Sequence, residues 1–212
     1  MHIYELRKLV GREETTYTEL KGLLRGYSQP KNKVSAWIKS GDLIRVKQGI
    51  YIFNPKLTDD FYSKELLASW MYGPSIISLH YALGWYSLIP EIVHDITSIT
   101  TKRSKKFITP VGTFSYKHCS VKKFMVGVVS MEVLKYTNVL MATKEKAIAD
   151  FLYHCTESLD DVQEMEEHIL DNMRMNEDVL SEIDKVLLGK IADTYKNNNV
   201  NLFKEWIYRN YV

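Results

Sequence analysis

Between Pro30 and Gly49 the chain places Lys31, Asn32, Lys33, Ser35 and Lys39, then Arg45, Lys47 and Gln48, with Asp42 the single acidic residue among them. Lysine and arginine neutralise phosphate oxygens, the asparagine amide matches the edge of adenine, and lysine matches guanine or phosphate. The chemistry of this set is recognition of a polyanion rather than the making or breaking of bonds. A second basic run holds Lys102, Arg103, Lys105, Lys106, Lys117 and Lys122 with no acidic residue between positions 102 and 123. It can extend a phosphate-binding surface or engage RNA, but lysines also guard exposed sheet edges, and that plainer reading is preferred here.

Other reactive residue types do not assemble into a recognisable centre. His118-Cys119 and His154-Cys155 carry zinc-type ligands, yet neighbouring side chains point to opposite faces of a strand or diverge around a helix, so neither dipeptide chelates one ion. Glu164 and His168 share a helical face without a third ligand and read as a surface pair. Asp59-Asp60 reads as a linker turn and Asp160-Asp161 as a helix start. No Gly-x-Ser-x-Gly elbow, Walker loop or Gly-x-Gly-x-x-Gly turn occurs, and the ten glycines are dispersed. The expectation is a protein that is not an enzyme and uses neither metal nor cofactor.

The elements that must position the first basic set follow from periodicity. His2 to Val10 has helical spacing, and Thr16-x-x-Glu19 is a capping-box pattern opening a second helix. Pro30 suits the first position of a third helix running to Ser40, whose Val34, Trp37 and Ile38 share a face opposite the lysines. Leu43 to Lys47 alternates apolar and basic residues, Gln48-Gly49 turns, and Ile50 to Phe53 returns as a second strand. Three helices and a hairpin in this order predict a winged helix-turn-helix over residues 1–56, with the third helix entering the major groove. Asn54 to Asp60 is the expected boundary.

Residues 61–212 are predicted to form a larger mixed domain. Helices are expected at Lys64 to Tyr72 and again behind a Ser78 cap. Segments His94 to Thr101, Phe107 to Thr109, Thr113 to Cys119 and Lys123 to Val129 are expected to form a small, mainly antiparallel sheet, and helices dominate from Thr143. The fold class expected is therefore α+β. Charge divides along the same line: residues 1–56 hold 11 Lys/Arg and 5 Asp/Glu, a net of +6, and the remainder is net −4. Between Glu145 and Asp184, 13 acidic residues face 2 basic ones, which reads as a solvated helical surface. The charged N-terminal residues, the lack of a long apolar run and two widely spaced cysteines predict a cytoplasmic chain with free thiols.

Several segments taken in order resemble the antitoxin family of AbiE abortive-infection systems, transcriptional regulators encoded beside a nucleotidyltransferase-like toxin. They are Gly41-Asp42-Leu43-Ile44-Arg45-Val46-Lys47-Gln48-Gly49-Ile50-Tyr51, Ser78-Leu79-His80-Tyr81-Ala82-Leu83 with Leu88-Ile89-Pro90, Thr109-Pro110-Val111-Gly112-Thr113-Phe114, and Met141-Ala142-Thr143-Lys144-Glu145-Lys146-Ala147. The resemblance implies a repressor that binds inverted repeats of double-stranded DNA in its own promoter, and a homodimer on DNA is a separate expectation. It further implies phage defence through opposition to the toxin, without a stable toxin complex. Two other readings stand beside it: a stand-alone winged-helix regulator, and a metal-dependent nucleic-acid-processing enzyme.

Overall fold

Ile3, Leu6 and Val10 lie on one face of helix α1 (Ile3–Val10) and are buried. In the computed structural model, which describes residues 1–57 and 60–211, this helix opens an α+β fold containing a small antiparallel sheet and a larger mixed one. Strand β1 (Glu14–Thr16) follows, in a segment the sequence marks only as a turn; three residues are too few for a period to register. The Thr16 hydroxyl accepts from the Glu19 amide at 3.3 Å and starts helix α2 (Tyr17–Leu23). The Glu19 carboxylate does not complete the capping box; it pairs with Arg12 at 2.7 Å and accepts from the Thr15 hydroxyl at 2.9 Å. Helix α3 (Pro30–Ser40) begins with proline and stops at Gly41, whose φ of +81° is costly for any residue with a Cβ. Strands β2 (Leu43–Lys47) and β3 (Ile50–Phe53) form the hairpin, and β1 adds to β3, giving the order β1-β3-β2.

The hairpin has two apolar sides that enter two different cores. Leu43, Tyr51 and Phe53 pack with α1, α2 and α3, around Leu6, Leu20, Val34 and Trp37. Val46, Ile50 and Ile52 join the larger core formed by the rest of the chain. Polar contacts reinforce the seam. The buried Glu14 carboxylate accepts from the Ser63 amide, the Arg12 guanidinium lies 5.3 Å from the centre of the Trp70 ring, and Arg7 bridges Glu13 and Asp60. Asp59, the other half of the expected linker turn, lies outside the described residues, as does Val212.

Helix α4 (Lys64–Met71) leads into strand β4 (Ser75–Ile77) and helix α5 (Leu79–Trp85). Then come β5 (Ile96–Thr100), β6 (Lys105–Thr109), β7 (Gly112–His118), helix α6 (Val121–Met125), β8 (Val128–Leu134) and β9 (Thr137–Ala142). The six strands lie in the order β6-β7-β5-β4-β9-β8. The expected small, mainly antiparallel sheet is a six-stranded mixed one: three of its five pairings are antiparallel, but β5 runs parallel to β7 and β4 parallel to β9. Lys123 to Val129, expected as a strand, splits between α6 and the start of β8. Helices α7 (Lys144–His154), α8 (Val162–Glu167), α9 (Glu177–Ser181), α10 (Lys185–Tyr195) and α11 (Asn198–Asn210) complete the chain, with a π-helical turn at His168–Asn172. Among the described residues no helix is long and apolar enough to cross a membrane.

Candidate nucleic-acid interface

Helix α3 turns Val34 and Trp37 into the core and leaves Lys31, Asn32, Ser35 and Lys39 exposed, as its apolar spacing requires. The hairpin rises beside it, and between the two runs a groove of about 590 Å³. Lys31 and Ser35 line one wall, Arg45 and Gln48 the other, and the Tyr17 ring lies at the start of α2 where its amide donates to the Gly49 carbonyl at 2.8 Å. Among the described residues no carboxylate lines this groove. Among the described residues the side chains of Lys31, Ser35, Arg45 and Gln48 have no hydrogen-bond or ionic partner, so four polar groups reach solvent uncommitted. Tyr17 and Tyr51, also on the walls, are aromatic residues that an inventory of charged residues passes over.

The remaining members of the first basic set separate. Asn32 donates to the Gln29 side chain, and Lys33 lies 5.1 Å from the centre of the Trp37 ring, half-buried on the flank of α3. Lys39 is exposed but does not line the groove. Lys47 points the opposite way from Arg45. Its ammonium donates to the Met71 carbonyl at 2.5 Å, at the end of α4, and lies 4.6 Å from the centre of the Phe107 ring. Desolvation holds its pKa below the ordinary lysine value, and Lys105 and Lys102 add to the effect.

Lys102 and Lys105 therefore come next to the hairpin although they are some sixty residues away in sequence. Lys102 donates to the Gly73 carbonyl, and both lysines lie over the Tyr72 ring, at 5.3 and 5.9 Å. They stand at edge strand β6 and its approach, in keeping with edge protection. Arg103, Lys106, Lys117 and Lys122 are exposed.

A second constellation is buried and escaped the sequence reading. Lys146 and Asp150, one turn apart on α7, are wholly buried and 3.5 Å apart. The Lys146 ammonium donates to the Tyr195 hydroxyl at 2.8 Å and to the Lys123 carbonyl at 2.6 Å, and Asp150 accepts from the hydroxyls of Ser78, at 2.6 Å, and Tyr195. Ser78 holds the N-cap position of α5 but makes no side-chain cap; its hydroxyl is committed to Asp150 instead. Burial pushes the Lys146 pKa down, opposed by Asp150, and pushes the Tyr195 phenol up, aided by Asp150. Cys119 nearby is raised to about 11, chiefly by burial. An opposite-charge pair four apart inside Lys146-Ala147-Ile148-Ala149-Asp150, with only small apolar residues between, is the sequence signal that marks it.

The zinc-type residues remain dispersed. Cys119 and Cys155 are free thiols, and His118 faces the Lys102 carbonyl at 3.0 Å. Among the described residues no group of three or more His, Cys, Asp and Glu is arranged to hold a metal ion. The expected surface pair of Glu164 and His168 does not form. Glu164 accepts from the Asp160 amide at 2.8 Å, while the His168 ring is buried beside Phe151, 4.0 Å from Glu157. Asp161 caps α8, as its sequence position predicts. No protein-family model matches the chain, and no curated protein matches it significantly.

Proposed function

We propose that the N-terminal unit is a winged helix-turn-helix that binds double-stranded DNA, and that the chain is a transcriptional repressor rather than an enzyme. The groove between α3 and the hairpin carries this reading: Lys31, Ser35, Arg45 and Gln48 flank it, free of internal partners, with no carboxylate among them. The order of helices and strands over residues 1–56, and the net charge of +6 there, support it as well. In this reading α3 lies in the major groove, Lys31 and Ser35 approach base edges or the adjacent backbone, and Arg45 holds a flanking phosphate. Two copies on an inverted repeat would present two such helices. The AbiE-type resemblance extends the proposal to an antitoxin acting against a nucleotidyltransferase-like toxin in the cytoplasm, without a lasting complex.

Retardation of promoter fragments, or of genomic fragments selected by the full-length protein, tests the reading. Wild-type protein should bind with an affinity that falls steeply with salt, because each phosphate neutralised releases condensed counterions. Joint replacement of Lys31, Ser35 and Lys39, three exposed polar residues of α3, by alanine should abolish retardation in a folded protein. Unchanged retardation would remove α3 from the interface. A nucleotidyltransferase-like reading frame beside the gene separates the antitoxin from a stand-alone regulator. Cleavage of DNA or RNA in Mg²⁺ or Mn²⁺, lost with a specific carboxylate, would replace both with a nuclease.

A further inference from the structure

On the face of the large sheet covered by α5 and α7, the side chains of Thr97, Ser115 and Lys117 open onto a cavity of about 260 Å³. His80, Phe151 and His154 form much of the rest of its wall, and among the described residues no carboxylate lines it. The Thr97 hydroxyl is used by the fold, donating to the Ser78 carbonyl at 2.6 Å and accepting from the Tyr81 amide at 3.0 Å, whereas Ser115 and Lys117 are not. Among the described residues the Lys117 ammonium and the Ser115 hydroxyl have no partner, and the buried Nε2 of His154 is likewise unpaired. Buried polar atoms are nearly always satisfied, so the unpaired imidazole nitrogen beside the cavity is a group that an entering ligand would satisfy. Leu79, also on the wall, is held at φ +59°, a conformation costly to a side chain with a Cβ and tolerated only where the surroundings enforce it.

The donors converge without an internal anion, so the ligand must bring one. We propose that this cavity binds the phosphoryl group of a small phosphomonoester, with Lys117, Ser115 and His154 as its donors. A tetrahedral dianion uses that many donors at once, and charge-assisted hydrogen bonds are the strong ones. The organic part of the ligand has a place too. A groove of about 480 Å³ adjoins the cavity, sharing His80 and Thr97; it presents Ile92, Val93 and Met173, with the carboxylates of Glu91 and Asp95 also on its walls. Ligand sites typically combine such an apolar wall with a few convergent polar groups. Ser115 and Lys117 also flank Tyr116 on β7, and the Tyr116 ring packs on the far side of the sheet against Tyr72 and Phe107, over which Lys47 of the hairpin lies. A bound phosphomonoester is thus one strand thickness from the seam that holds the N-terminal unit.

Calorimetric titration of the full-length protein at constant ionic strength tests this, with phenyl phosphate and inorganic phosphate as probes, and it requires no DNA. Its outcome is independent of the nucleic-acid reading. Phenyl phosphate should bind saturably and more tightly than inorganic phosphate, and K117A, an exposed change, should weaken it about tenfold or more, the worth of a hydrogen bond to a charged group. H154Q should weaken it as well. Heats that do not saturate, or titrations identical in wild type and K117A, would overturn the proposal. Equal affinity for the two probes would overturn the role of the groove.

Discussion

Lys31 and Lys146 are the same residue put to opposite uses. Lys31 stands on an exposed helix face at the edge of a groove, with no internal partner, and its charge is free to meet an outside anion. Lys146 is wholly buried and committed to Asp150, Tyr195 and the Lys123 carbonyl, joining α6, α7 and α10. A formal charge in a sequence therefore says nothing about function until its partners are known. Lys47 falls between them: it sits in the basic hairpin, but its ammonium secures the end of α4.

The sharpest way to break the comparison is at the buried end. Removing Lys146 with a K146A change leaves Asp150 and Tyr195 facing an empty, dry space, and breaking a buried pair from one side costs about 3–5 kcal/mol. Urea unfolding should register a loss of that size, or no folded protein at all. A loss comparable to that of a surface lysine would show that the cluster contributes little. At the exposed end the expected effects reverse. K31A and R45A should change stability by no more than about 0.5 kcal/mol, as surface substitutions do, while each lowers the salt dependence of DNA binding by about one counterion. Retardation assays at several salt concentrations measure both the affinity and that slope.

Lys47 gives the intermediate case. K47A should cost about 1 kcal/mol, the net worth of a hydrogen bond in a half-exposed setting, and affect DNA affinity less than R45A does. If K47A instead abolishes DNA binding at unchanged stability, the assignment of Lys47 to the seam is wrong. The last effect is one of pH and is confined to strongly alkaline conditions. Burial raises the phenol pKa of Tyr86 to about 12, and those of Tyr81, Tyr116 and Tyr195 further still. A group whose pKa is raised by folding stabilises the native state below its unfolded value and loses that contribution as pH climbs through the folded one. Stability should therefore hold up to about pH 10 and decline above it, with tyrosinate absorbance from these four residues appearing only on unfolding. Their ionisation at about pH 10 in folded protein would contradict their burial.

Much of the N-terminal unit was legible because its signals are local. Pro30 and Gly41 bracket α3, the spacing of Val34 and Trp37 fixes which face is buried, and Gly49 at φ +81° turns the hairpin. The exposed residues of the groove follow from the same spacing. Strand β1 was not legible, since three residues gain their structure only by pairing with β3.

The α+β composition, the amphipathic faces of the long helices and the concentration of positive charge before residue 57 can all be read along the chain, because each depends on neighbours a few positions apart. Folding in three dimensions sets the rest: the parallel pairings of the large sheet, the division of the hairpin between two cores, the diversion of Lys47 to α4 and the burial of Lys146 against Asp150 and Tyr195. The reason is physical. Strand order and the satisfaction of a buried charge depend on groups distant in sequence, and no periodicity within one segment encodes which distant group will arrive.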